Sequence, residues 1–144
     1  MIQLTQTKLS NEEGTINGNC LRTCIACLLE IDPEEIPHIE DMDVWFGVFY
    51  DFLNSKGYEF EGTIYLGSKY FTEFGKRKAE DEIKRFKEYE GVDGYIIAGG
   101  TSPRSYVTRG HAVIYKNGEL AWDPHYSREG VLEITEAYMI KRKS

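Results

Sequence analysis

The sequence has no long apolar run. No stretch approaches the length of a membrane-spanning helix, and Met1 to Ser10 is too polar for a secretory leader. Cysteine is scarce: the three present, Cys20, Cys24 and Cys27, fall within one short segment, which excludes a disulfide framework. Internal repeats, low-complexity tracts and a linker-like segment are all missing, so residues 1–144 read as one domain. Basic residues are in deficit. Seventeen Lys and Arg against 24 Asp and Glu leave a formal charge of -7, which repels phosphates and argues against nucleic acid as a partner. The short basic runs "GKRK" at 75–78 and "KRK" at 141–143 read as solvated loop or tail. The expectation is a cytoplasmic protein with reduced thiols, no membrane partner, and enough apolar residues (41%) to bury a core.

What is present has a clear order. An extended start and the loop "NEEGTINGN" lead to a helix with Asn19 as its N-cap and Leu21, Cys24, Ile25, Leu28 and Leu29 at helical spacing. "IDPEEIPHIED" holds Pro33 and Pro37 and predicts a short helical turn. Residues 43–55 predict a second helix, starting near Asp43 and stopped by Gly57, with Trp45, Phe46, Phe49 and Tyr50 as core residues. "YEFEGTIYL" predicts a strand, 78–90 a charged helix, and "GYIIAGG" a short buried strand. "HAVIYKNGELAWDPH" predicts two strands joined at Asn117-Gly118, and "AYMIK" a last strand. Helices followed by strands predict an α+β fold with an antiparallel sheet.

The three cysteines allow several chemistries. CxxxCxxC is the iron–sulfur spacing of radical enzymes that use S-adenosylmethionine, but here it lies on a strong helical pattern in a chain too short for their partial barrel. A zinc site completed by His38 is disfavoured because structural zinc ligands usually pair across a turn. Cys24 and Cys27 fit the buried stripe of a helix. Cys20 differs. It follows the N-cap, where free backbone N–H groups and the positive end of the helix dipole favour a thiolate. Asn17 and Gly18 just before it would let a substrate backbone approach closely.

A nucleophilic cysteine needs a base, and the base needs orienting. Of the three histidines, His38 lies in the Pro-rich turn and His125 after "WDP" at the hairpin exit, while His111 opens a strand. Counting back from a Lys116–Glu119 pair beside the turn places His111 near Pro124 and Asp123, close enough for a carboxylate to hold the imidazole.

"GNCLRTCIACLLEI" together with "GHAVIYKNGELAWDPH" resembles the papain-like cysteine peptidase superfamily. The likeness is to the branch with bacteriocin-leader peptidases, whose pattern runs Asp-Cys-Gly-x-x-Cys-Leu, His-x-Val, Asp-Pro. It is closer still to small phage and bacterial proteins of uncharacterised function with GNC…AC…SLL, Ser-Pro-Arg, HAV and DPHPSR segments. Here these read "GNCLRTCIACLL", "TSPRS", "GHAV" and "DPHYSR". The likeness spans about residues 6–130, with little from 40–93. It implies a papain-like fold, N-terminal helices packed on an antiparallel sheet, and a catalytic order Cys, His, Asp that maps onto Cys20, His111 and Asp123. It also implies host cytoplasm, should the chain be phage-encoded.

The family's oxyanion glutamine lies a few residues before the cysteine. No glutamine stands there in this chain; Gln6 reaches only if "SNEEGTING" loops out, and Asn17 or Asn19 are substitutes. In the "GGTSPRS" loop, Ser102 and Arg104 border the expected site, with Arg104 suited to a carboxylate or phosphate. Trp122, beside Asp123, either shields the His–Asp pair from water at the substrate site or packs in the core. No Gly-rich phosphate motif is present, and no cofactor or metal is expected. The expected activity is hydrolysis of an amide or related acyl bond in a peptide, protein or small amide substrate. The same triad also serves deamidation or transglutamination, and a domain lacking the upstream glutamine could instead only bind a ligand or partner protein.

Overall fold

A computed structural model describes residues 1–65, 91–107 and 110–144, with 61–65 described by their backbone alone. The charged helix expected over 78–90 and the basic run at 75–78 lie outside the described residues.

The first helix, α1 (Cys20–Leu29), is buried from Arg22 through Leu29, so it is surrounded on nearly all sides. Asn19 holds the N-cap position but its side chain caps nothing. The Asn19 amide instead turns back to the N-terminal segment: Oδ1 accepts from the Lys8 N–H at 3.1 Å, and Nδ2 donates to Thr7 Oγ1 at 3.2 Å. The Pro-rich segment makes two 3-10 turns, Pro33–Glu35 and Ile39–Asp41. They are clamped to α1 by Arg22, which is 2% exposed. Its Nε and Nη2 each donate to a Glu40 carboxylate oxygen at 3.1 Å, and Nη1 donates to the Pro33 carbonyl.

The second helix, α2 (Phe46–Ser55), starts three residues later than expected, with no side-chain cap. Phe49 and Leu53 are fully buried and Trp45 packs edge-on against Phe49, but Phe46 and Tyr50 are exposed. Core membership of those two was misjudged: α2 lies over the edge strand β1 (Tyr58–Tyr65), and one edge strand occupies only one face of a helix.

The remaining strands are β2 (Tyr95–Gly100), β3 (His111–Lys116), β4 (Glu119–Trp122) and β5 (Ile134–Arg142). They join β1 in one sheet of order β1-β5-β2-β3-β4, antiparallel at every pairing. β5 is longer than "AYMIK" predicted. It absorbs Lys141 and Arg142, so most of the "KRK" run is strand rather than tail. With α1 against β3 and α2 against β1, the helices cover the face that carries Ile97, Ile114, Tyr138 and Ile140. The fold is α+β. No helix among the described residues is long and apolar enough to cross a membrane.

Two backbone details set the site. Asn117 and Gly118 both take positive φ (55° and 79°), which matches a two-residue turn in register with the strand twist. A bulge then shifts the ladder, so Ile114 faces Trp122 and the simple count is off by one. Gly100, opposite His111, has no room for a side chain: a Cβ there would lie 1.9 Å from the Glu133 carbonyl oxygen. Gly100→Ala is therefore expected to lower stability by about 3 kcal/mol through backbone displacement, measured by urea unfolding.

Candidate active site

Three chain segments converge at the α1 N-terminus. Cys20 is the first residue of α1, and its Sγ accepts the Ala112 N–H at 3.4 Å. His111 opens β3 directly after Gly110, whose φ of 85° and close approach to the Gly100 carbonyl favour glycine. Its Nε2 lies 2.6 Å from Asp123 Oδ1, and the residue borders the same two cavities as Cys20. With Nε2 engaged by Asp123, Nδ1 is the nitrogen left to face the sulfur. Asp123 reaches the ring from the turn after β4, not from a paired strand position, because β4 ends at Trp122.

Asp123 is held from every side. Oδ1 also accepts the His125 N–H at 2.8 Å, and Oδ2 accepts the Gly130 N–H at 2.7 Å. Burial acts to raise its pKa, but the bonds from His111 and the two N–H groups outweigh that and hold the carboxyl below its usual range. For His111, burial acts to lower the pKa; hydrogen bonds and charge from Asp123 and Cys20 prevail and raise it to about 9. Burial pushes the Cys24 and Cys27 thiols up, and both sit in the core, with Cys27 Sγ accepting the Leu4 N–H. The three cysteines thus occupy two environments. Cys20 alone stands beside an imidazole and a cavity.

Loop closure brings Gln6 in. The Asn19 N–H donates to the Lys8 carbonyl at 3.1 Å and the Gly18 N–H to Ser10 Oγ at 2.9 Å, so the intervening loop folds outward. The Gln6 N–H donates to the Pro124 carbonyl, and one Nε2–H donates to the Lys8 carbonyl at 2.9 Å. Its Oε1 is buried without a partner. Gln6 borders, with Cys20, Arg104, His111 and His125, a narrow cavity of about 20 Å³. A larger groove of about 170 Å³ also borders Cys20 and includes Asn17, Gly18 and Asn19 among its lining residues. Asn17 Nδ2 donates to the Glu40 carbonyl, and the Asn19 amide is occupied as described, which leaves neither aimed at Cys20.

The other candidates divide. Arg104 borders the narrow cavity, makes one long bond to Ser127 Oγ (3.4 Å), and pairs with no carboxylate among the described residues. Ser102 is buried and shapes the turn, its Oγ accepting the Arg104 N–H. Trp122 packs: its indole donates to the Leu4 carbonyl at 2.8 Å and Arg128 covers its face. It borders neither cavity. His38 is a surface residue 3.4 Å from Glu34.

Sequence reasoning missed His125 as a site residue. Its Nδ1 accepts the Ser127 N–H at 3.0 Å, which places the ring proton on Nε2, and its ring meets His111 edge-on at 6.0 Å. Burial first, then the charges of Arg104 and His111, holds its pKa below the ordinary value. The signal was adjacency to Asp123 in "DPH". Glu136 was missed too, because it lies on the last strand, far in sequence from every motif.

The arrangement is one in which a thiol proton can pass to a carboxylate-held imidazole beside an open cavity. Comparison of the chain with protein-family models, with curated proteins and with solved structures found no match.

Proposed function

We propose that the protein is a cysteine-dependent hydrolase of amide or related acyl bonds, a peptidase or isopeptidase, on a papain-like variant of the α+β fold. The observation that carries the reading is His111, held at 2.6 Å by the buried Asp123 and bordering the same cavities as Cys20, whose sulfur rests on the N–H of the next residue, Ala112. The Cys20 proton passes to His111 Nδ1, and the sulfur attacks the substrate carbonyl carbon while the carbonyl π pair moves to oxygen. Collapse breaks the C–N bond, and the leaving amine takes the proton from His111. Water then gives a proton to His111 and attacks the thioester; the C–S bond breaks and Cys20 recovers the proton. Asp123 remains ionised throughout and fixes the tautomer.

Two donors suit the tetrahedral oxygen: the Cys20 N–H, free at the helix start, and the second Nε2–H of Gln6. Arg104 and His125, at the narrow cavity, suit an anionic or polar group of the substrate. Gln6→Ala is expected to lower turnover of an acyl substrate about a hundredfold. Its rate of Cys20 alkylation by iodoacetamide should stay unchanged, since that reaction forms no oxyanion.

The test uses p-nitrophenyl acetate. A burst of nitrophenol with an acetyl group on Cys20, followed by continued turnover and absent from Cys20→Ala, is the expected result. A burst that never turns over marks a binding domain, turnover that needs an added amine marks an acyl transferase, and no acetylation of Cys20 overturns the reading.

A further inference from the structure

The larger groove carries a charge that the proposed chemistry does not use. Glu136 lies on β5 directly across from Gly99 of β2, which in turn faces Ala112 of β3. These three share one row of the sheet, and Ala112 is the residue whose N–H touches the Cys20 sulfur. Gly99 makes the row usable. A Cβ there would lie 2.7 Å from Glu136 Oε1 and 2.8 Å from its Cγ, so its absence lets the glutamate side chain lie across β2 toward β3. The carboxylate is thereby brought to about one strand spacing, ~5 Å, from the Ala112 backbone.

Glu136 is half-buried and has no hydrogen-bond or ion-pair partner among the described residues. The other carboxylate at this groove, Glu40, is neutralised by Arg22 and Lys8. Among the described residues the groove therefore offers one uncompensated negative charge, in a lining that also includes Trp45 and Tyr138. A carboxylate in a groove of about 170 Å³, lined in part by aromatic residues, suits an organic cation on an aliphatic stem.

We infer that Glu136 makes the larger groove a subsite for a cationic side chain, so that the acyl bond attacked by Cys20 lies beside a lysine or arginine residue of the substrate. This rests on the hydrolase reading above. The test compares two peptidyl chloromethyl ketones of equal size, carrying lysine or norleucine at the first or the second residue from the ketone. In each, the Cys20 sulfur displaces chloride and forms a thioether, and mass spectrometry locates it. At one of the two positions the lysine reagent should modify Cys20 about tenfold faster than its norleucine counterpart. That ratio should fall to about one in Glu136→Gln, with the norleucine rate unchanged as the check on folding. Equal ratios in the parent and Glu136→Gln overturn the subsite and leave the hydrolase standing. Failure of every reagent to label Cys20 ahead of Cys24 and Cys27 overturns the hydrolase, and the subsite with it.

Discussion

Replacement of His111 by alanine is expected to slow alkylation of Cys20 at pH 6 by about a hundredfold or more, within the range that a positioned acid–base group contributes. The parent protein keeps His111 protonated up to about pH 9 because Asp123 and the Cys20 sulfur outweigh the effect of burial. An imidazolium beside the sulfur stabilises negative charge that develops on it, and His111→Ala removes that stabilisation. The Ala112 N–H remains on the sulfur in both proteins and cannot produce the difference. Equal rates at pH 6 in parent and variant would remove His111 from the chemistry.

The second large effect is on stability. Asp123→Ala should cost about 3–5 kcal/mol, because it leaves a buried imidazolium unpaired and strips partners from the His125 and Gly130 N–H groups. The pH dependence follows from the raised pKa. His111 binds its proton more tightly folded than unfolded, so its contribution is complete below its ordinary 6.5 and is lost as pH rises through about 9. Asp123, held below its ordinary 3.8, contributes above that pH and loses its contribution as acid protonates it. The parent's urea midpoint should therefore fall between pH 6.5 and pH 9. Asp123→Asn, which keeps the side chain's shape without its charge, should flatten that fall. An unchanged slope in Asp123→Asn would mean that the carboxylate does not set the proton affinity of His111.

The parts of the fold legible in sequence were those set by local chemistry. Asn117-Gly118 fixed the hairpin because few residues tolerate two positive φ values. The cysteine-bearing helix was visible from its spacing, and the glycine-flanked apolar run marked β2. What was hidden depended on tertiary partners. Arg22 sits in an apolar helical run and gives no hint that Glu40 and Pro33 will bury it. Asn19 has the chemistry of a cap, but the Lys8 N–H competes for its oxygen. Phe46 and Tyr50 follow a core spacing on a helix that has only one covered face. The bulge after Ile114 is invisible in the strand pattern, and the meeting of His111 with Asp123 was anticipated through a register that the bulge alters. Gln6 was the most conditional expectation, since only the closure between Lys8 and Asn19 brings it beside Gly18. Glu136 belongs to a row of three strands, and no local window of sequence contains that row.

The most direct measurement is the order in which the three thiols react. Native protein treated with substoichiometric iodoacetamide at pH 6 and mapped by mass spectrometry should carry nearly all label on Cys20. Label spread evenly over Cys20, Cys24 and Cys27, or appearing only on unfolding, would contradict an accessible nucleophile at the α1 N-terminus and the account built on it.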